Sequence, residues 1–575
     1  MNEETKRIII ASALIFLVVL LQPVYFEWLG YNTSSTTEYD EDNIKNSDTI
    51  ASNTINNTIT NKPANQNSQQ SPMRVKSEII QIESDLYYTT ISNRSGGSII
   101  ESRIVEKNNN GEYKYLSYFD DDLNESVILK PLENNYCNPC LGYYNKNTDV
   151  YEYINEPFQL TSDISSPIYI NNNDSLMLNY EYRSNNGLII NKTMIMYGNS
   201  YNSKHYYTIN NPDLISSSNI ELIWSDGLVP IEIQEIEDVT YGQAMIGQGD
   251  ETETISIADA NSKELYTQFN GNTDWASIRT KYFTASLLSK TTSDYAAMSG
   301  ESIIYEGREI TPKYNVSIGY DKYNNNINAS LYLGPLDIDQ IEKLNSTLDK
   351  SMNFGFSLIR PIGKLILWLL KILHDTTSLN YGFCLIIFAI AIQQITSPLT
   401  KKTYESSQKM QTIQPLVKKV QEKYKSDPQK MNQEVMKLYQ EKGVNPLGGC
   451  LPLVLQMPLL WALFVVFRST IEFRGAHFLF WITDLSQPDI LFYLPFNIPL
   501  YGGHVALLPV LMGFSIYLTQ KLSMATMDPA QKPLMYIMNG FFILIFNNFP
   551  SGLNLYYTIY NLLNYYQQRS IRLQK

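Results

Sequence analysis

The chain has 575 residues, with 57 Asp+Glu against 44 Lys+Arg and a formal net charge of −13. The imbalance is uneven: residues 27–380 hold 46 acidic against 25 basic side chains, and the remainder holds 11 against 19. An acidic, Asn- and Tyr-rich larger part excludes sequence-specific nucleic-acid recognition, which needs a basic footprint.

Ile8 to Phe26 is apolar and follows Lys6 and Arg7. The bulky residues Gln22 to Trp28 offer no small-x-small cleavage site, so residues 1–28 read as a transmembrane anchor with its N-terminus in the cytoplasm. Residues 29–76 are Asn, Ser, Thr and Gln with almost no large apolar side chains, which predicts a disordered tether. From Ile79 short β-rich runs are broken by Gly and Asn: Leu86 to Ile91, Ser95-Gly96-Gly97, Ile99 to Val105, then Leu188 to Tyr197, Ile220 to Trp224, Trp275 to Leu288 and Tyr314 to Ile318. They predict one large all-β sandwich over residues 77–336, outside the membrane.

Within it, Cys137 and Cys140 form a CxxC pair. No βαβ pattern surrounds it, no second CxxC or His cluster completes a metal site, and His205 stands alone. A local disulfide of an oxidising compartment and two idle thiols both remain open. Cys384 and Cys450 fall in apolar helices, where Cys behaves as a small hydrophobe.

Residues 337–380 read as a polar helical linker, 337–352, that isolates the β-domain, followed by an amphipathic segment, Phe354 to Leu373. Its Arg360, Lys364 and Lys371 opposite an apolar face suit a helix lying in the membrane interface. Residues 381–568 then predict a five-helix core with spans at 381–400, 447–467, 505–520, 533–549 and 553–566, none of which contains Asp, Glu, Lys or Arg. Between the first two lies 401–443, with ten Lys against five acids and a break at Asp427-Pro428. That is a cytoplasmic helical hairpin, mobile about Gly443. An outer loop carries Arg468, Glu472, Arg474 and Trp481, and a basic tail, 569–575, closes the chain. With the anchor this makes six spans and places both termini in the cytoplasm. Leu553 to Tyr566 covers only about 21 Å of a hydrocarbon core of about 30 Å, so local bilayer thinning is expected.

The second of these five spans opens on Asn445 to Pro458, NPLGGCLPLVLQMP, with Gly448, Gly449, Pro452, Gln456 and Pro458 in its first half. Such residues are tolerated in a membrane helix whose neighbours or waters re-satisfy the freed backbone groups. The plainer alternative is a Pro-kinked buried helix of a soluble enzyme. Counted inward from the cytoplasmic ends, Gln393, Gln456, Ser515, Asn539 and Asn561 fall in one layer, about 9 to 14 Å deep. Thr396 and Ser397 accompany Gln393, and Asn554, Thr558 and Asn561 share a face of the last span. These predict an uncharged polar groove, with dry interhelical hydrogen bonding as the alternative.

No nucleotide loop, metal cluster or nucleophile elbow is present in the sequence, so neither an enzyme nor a cofactor is expected. A small-solute transporter would place ionisable residues inside its spans. A membrane-anchored receptor or assembly scaffold would need a larger cytoplasmic region than the hairpin.

Residues 354–568 resemble the YidC membrane-protein insertases of bacterial inner membranes. The resemblance rests on NPLGGC at Asn445 to Cys450, with Asn445, Pro446, Gly448 and Gly449, on QMP at Gln456 to Pro458, on PLT at Pro398 to Thr400, and on FPSGLNLYY at Phe549 to Tyr557, with Pro550, Ser551 and Gly552. The Gly-Gly hairpin, Trp275 with Tyr282-Phe283, and LYLGP at Leu331 to Pro335 are similar to that family's β-supersandwich. The resemblance implies an insertase and chaperone of the inner membrane with a periplasmic β-domain in an accessory role. Its partners would be nascent membrane-protein clients, the lipid bilayer, the Sec translocon and the ribosome. Clients would slide along the third and fifth of six spans, with Met457 and Pro458 as contact positions. Many relatives carry an arginine where this chain has Gln393, so a fixed positive charge in the groove is not expected here.

Overall fold

A computed structural model describes residues 75–573 except 109–110, 118–124, 147, 163, 165, 233, 260–263, 426, 444–450, 500 and 525–531. The expected anchor, nearly all of the tether, and Asn445 to Cys450 lie outside the described residues.

Strand sequences that alternate become sheet faces. Ile189–Tyr197 and Asn202–Asn210 pair antiparallel and bury every second side chain, the pattern of a sheet with one face on a core. Trp275–Arg279 and Phe283–Ser289 are almost wholly buried because layers cover both their faces. These four belong to a nine-stranded sheet in which Asn326–Pro335 joins the two pairs. A six-stranded sheet built around Tyr295–Tyr305, Arg308–Asp321 and Asn219–Trp224 and a five-stranded one around Tyr87–Ser92 complete the β-part. Trp224, Trp275, Tyr282, Tyr314, Tyr320 and Tyr332 form its core, each at most 1% exposed. Gly247 has no substitute beneath Trp275, because a Cβ there would lie 2.2 Å from the indole. Helix α1, Glu235–Tyr241, lies against the long strand Arg308–Asp321.

Residues 337–352 are docked, not a free linker. Helix α2, Ile338–Glu342, buries Ile341, and the 3-10 turn Thr347–Ser351 buries Leu348 and Ser351. Trp275 Nε1 donates to Thr347 Oγ1 at 3.0 Å and Arg279 donates to the Ser351 carbonyl. The segment looks polar in sequence because its charges face partners: Asp349 pairs with Arg360 and Lys364 at 3.3 and 2.6 Å.

Beyond it, helix α3, Arg360–Thr377, buries Gly363, Ile366, Leu367 and Leu370 and leaves Leu365, Trp368, Leu369 and Ile372 exposed. Helix α4, Tyr381–Lys423, is continuous over 43 residues, through Pro398 and Pro415. The expected span and the first arm of the cytoplasmic hairpin are therefore one helix. Each Pro deletes one backbone hydrogen bond, a loss that good helix formers on both sides absorb. Helix α5, Pro428–Glu441, is capped by Asp427, whose carboxylate accepts from Lys430 N at 3.1 Å. Helices α6, Leu451–Ser469, α7, Leu508–Met524, α8, Lys532–Phe546, and α9, Ser551–Leu573, follow. Among the described residues Tyr381–Lys402 alone is long and apolar enough to cross a bilayer; Gln456–Ser469 and Met535–Phe546 are shorter apolar stretches. The expected last span, 553–566, is the front of a 23-residue helix, about 35 Å at 1.5 Å per residue, whose remaining turns carry Gln567, Gln568, Arg569 and Arg572.

Candidate functional site

Helix α9 organises the helical half, packing against α4, α6 and α7, and carries the longest run of buried Tyr and Asn side chains. Toward its C-terminal end Gln393 Nε2 donates to Gln567 Oε1 at 2.9 Å, and Gln567 Nε2 donates to the carbonyl and the hydroxyl of Ser397. Thr396 and Tyr560 share a hydroxyl hydrogen bond of 3.3 Å. These contacts tie α4 to α9. Thr519 Oγ1 donates to the Asn561 carbonyl at 3.3 Å, tying α7 to α9, and Asn539 Nδ2 donates to the Gly513 carbonyl at 3.1 Å, tying α8 to α7. Ser515 and Thr558 bond back to their own helices, at the Met512 and Asn554 carbonyls.

The sequence-predicted polar residues thus divide. Gln393, Thr396 and Ser397 meet α9 as a group. Asn554, fully buried, lies at the opposite end and donates to the Phe546 and Phe549 carbonyls at 3.1 and 3.3 Å, closing the α8–α9 turn. Gln456 faces the Tyr557 hydroxyl without closing a hydrogen bond of good geometry. Met457 is 43% exposed, and Pro458 lies inside α6. Pro452 also falls within α6. Three participants were missed: Gln567, beyond the apolar run, and Tyr556 and Tyr560, which read as apolar filling. The spacing of Tyr556, Tyr560 and Gln567 along one helical face was the available signal.

Not all of this polarity is consumed. Among the described residues the Tyr556 and Tyr557 hydroxyls and the side-chain carbonyls of Gln520, Asn539, Asn554 and Asn564 are buried without a hydrogen-bond partner. A buried group left so costs about 1–3 kcal/mol. The wall around them is aromatic: Tyr556 stacks on Tyr560 with centroids 5.8 Å apart and tilts over Phe388 at 5.9 Å.

At the N-terminal end of α9 the chemistry changes. Pro550 is buried, Ser551 donates to the Asp484 carbonyl at 2.7 Å, and Gly552 N donates to the Leu485 carbonyl at 3.0 Å. A Cβ on Gly552 would meet that carbonyl and Phe467 at 3.1 Å. The same loop, between α6 and α7, enters the β-domain. Arg474 bonds Glu232 at 2.9 Å, both side chains 3% exposed, and its guanidinium also donates to the Leu116 carbonyl and lies over the Tyr282 ring. Beside it Lys281 pairs with Glu237 at 2.6 Å, and Gln487 donates to Glu237. Burial pushes Glu232 up from the ordinary carboxylate range against the pull of Arg474. It pushes Asp238, which is paired with Arg308, up to about 7. Lys371 meets Asp339 and Glu472 at 2.7 and 3.3 Å. Burial would lower its pKa, but Glu472 and Asp337 carry it up.

Cys137 and Cys140 are bridged, their Cα atoms 4.4 Å apart, and both are buried against Ile223. They lie in the β-domain and touch none of the groups above.

The family model of the 60Kd inner membrane protein matches residues 372–575, and that of the YidC periplasmic domain matches residues 79–369. A membrane protein insertase YidC from Chloroherpeton thalassium is 34% identical over 500 residues, 85% of this chain and 82% of that one. Another from Chlorobium limicola is 30% identical over 560 residues, 96% and 93% of the two chains. A crystal structure of an active YidC insertase with its first transmembrane domain resolved aligns at 19% identity over 86% of this chain and 92% of that one, with a TM-score of 0.34.

Proposed function

The chain belongs to the YidC family of membrane-protein insertases, and we propose that it passes client segments into the inner membrane along an uncharged, hydrated groove bounded by α4, α6, α7 and α9. Polar peptide crossing hydrocarbon leaves backbone groups unsatisfied at several kcal/mol each. Amides and hydroxyls with spare capacity supply exchangeable partners for those groups. The observation that supports this reading is the set of buried, unpartnered polar atoms on α7, α8 and α9, in helices whose apolar stretches carry no Asp, Glu, Lys or Arg. An ion-coupled transporter would require such charges.

In this reading α4, α6, α7, α8 and α9 are the five spans of the core and residues 8–26 are the sixth. The β-domain faces the periplasm, and both termini and the α4–α5 hairpin face the cytoplasm. Gln393, Thr396, Ser397, Gln456, Ser515, Asn539 and Asn561 line the groove with Asn554 and Thr558 at its closed outer end. Met457 and Pro458 meet clients, and the Sec translocon and the ribosome act beside it.

The test uses single cysteines at 393, 456 and 561 in full-length protein lacking its other free cysteines. Each is expected to react with a membrane-impermeant thiol reagent applied from the cytoplasmic side. If all three stay unreactive while a cysteine at 400 reacts, the groove is dry and the mechanism fails. Depletion should stop client insertion and leave solute uptake unchanged.

A further inference from the structure

The loop between α6 and α7 contains a feature that neither the groove nor the Arg474–Glu232 clamp onto the β-domain uses. Ile490–Ile498 and Gly502–Ala506 form a two-stranded antiparallel ribbon that joins no other sheet. An isolated hairpin of this kind is marginal in water and needs something to pack against. This one has no core face: Leu491, Phe492, Tyr493 and Phe496 are 45%, 54%, 76% and 61% exposed. From Ile490 to Gly503 there is no Asp, Glu, Lys, Arg or His.

Its position is held from both ends. At the base, Asp489 accepts from Leu507 N and Leu508 N at 3.0 and 2.8 Å, and from Trp481 Nε1 at 2.9 Å, so the ribbon starts and stops at the first residue of α7. Along its return strand, Asn547 Nδ2 donates to the Tyr501 and His504 carbonyls at 2.8 Å each, and Asn547 Oδ1 accepts from Ala506 N at 3.0 Å. Asn547 belongs to the turn between α8 and α9. Because residues near both the tip and the base bond one side chain, the ribbon is folded over that turn and stays level with the outer ends of α7, α8 and α9.

We infer that this ribbon is a lipid-seated anchor: its aromatic and aliphatic side chains occupy the headgroup and upper acyl region of the outer leaflet beside the mouth of the helical bundle. The inference rests on the reading that α7 to α9 span the bilayer. Lipid is the occupant that the features favour. Apolar side chains on both faces of a ribbon suit a fluid surrounding, the aromatic composition suits a membrane interface, and the charge-free stretch lacks the polar rim of a protein interface. An exposed apolar patch of this kind on a folded protein marks an interaction surface.

The test places an environment-sensitive fluorophore on Tyr493→Cys and, separately, Phe496→Cys, in full-length protein with Cys384 and Cys450 replaced by Ser. The protein is reconstituted in vesicles of phosphatidylethanolamine and phosphatidylglycerol. Phe514→Cys on α7 reports the span, and Tyr323→Cys on the β-domain reports water; these positions are 58% and 61% exposed. The expected result is blue-shifted emission at 493 and 496, shielded from aqueous iodide. About half should be lost when a nitroxide sits at the headgroup end of the acyl chain, and less when it sits deep, as for side chains about 5–10 Å into the boundary. Iodide quenching at 493 and 496 with nitroxide quenching at 514 overturns the anchor and leaves the spans standing. Shielding from both quenchers means that a protein or a second copy covers the ribbon, which also overturns it. Absence of nitroxide quenching at 514 overturns the span reading and the anchor together.

Discussion

The molecule has two polar interiors, and they are built on opposite terms. Where the β-domain meets the loop between α6 and α7, the buried groups are acids and bases set in opposite pairs: Arg474 with Glu232, Lys281 with Glu237, Arg308 with Asp238. Where α9 meets its neighbours the buried groups are amides and hydroxyls, and several have bonding capacity left over. A desolvated ion pair holds one geometry, because separating it strands a charge. An amide can trade one neutral partner for another at little net cost, since the net worth of such a bond is about 0.5–1.5 kcal/mol. On the proposed function, the first region is a rigid attachment and the second meets partners that come and go.

The comparison breaks most visibly at the clamp. Arg474→Met leaves Glu232 buried without its guanidinium, and about 3–5 kcal/mol of stability should be lost. Thermal unfolding of the full-length protein should show it as a lower midpoint, with faster proteolysis of the outer loop. Pairing that change with Glu232→Leu should restore most of the loss, because replacing both partners by apolar side chains is often neutral. A double variant as unstable as the single one would mean that the pair is not what holds the loop.

A smaller effect, on the order of a few kcal/mol at most, belongs to Asp238. Burial pushes its folded pKa up to about 7, above the ordinary aspartate value of 3.8. Below pH 4 the acid is neutral in both states and its burial carries no charge penalty. As pH rises toward 7 the unfolded state ionises first, so this contribution to stability is lost across that window. Asp238→Asn does not titrate; it should match the parent near pH 4 and exceed it in midpoint near pH 7. Equal pH slopes for the two would remove the buried carboxylate from the account.

How much of this was legible in the sequence differs between the two regions. Alternation in Ile189–Tyr197 announces a half-buried strand, and the apolar runs announce the helices, since both signals are local in the chain. The groove residues are legible as positions, because polar side chains stand out in apolar helices. Their partners are less so: only its helical spacing from Tyr556 and Tyr560 distinguishes Gln567 from Gln568. The clamp was illegible altogether, because Glu232 and Arg474 are 242 residues apart and each looks like an ordinary surface charge. The docking of 337–352 was missed for the same reason. Its charges read as solvated until Arg360 and Lys364 are found opposite Asp349.

The third prediction separates Asn554 from the polar set in which the sequence places it. Asn554 is fully buried and closes the α8–α9 turn through two carbonyls. Asn554→Leu should cost about 1–3 kcal/mol, the price of leaving buried acceptors unmet. Client insertion should fall only in proportion to the folded protein that remains. Insertion lost at normal protein levels would move Asn554 from the closed end of the groove into its working part.

Gln567→Leu carries the smallest expected effect and the sharpest distinction. Gln567 is the shared partner of Gln393 and Ser397. In a dry bundle its loss strands both, and interhelical hydrogen bonds in membranes average about 0.6 kcal/mol and reach about 1.7. The thermal midpoint in lipid should then drop measurably. In a hydrated groove water replaces the lost amide, and the midpoint should stay within the error of the parent while Gln393 becomes more reactive as a cysteine. Insertion kinetics complete the distinction. A groove that exchanges partners freely should tolerate the change, whereas a bundle that depends on this bond for shape should lose insertion together with stability. The clamp and the groove would then differ not in how polar they are but in whether their polar groups can be replaced by water.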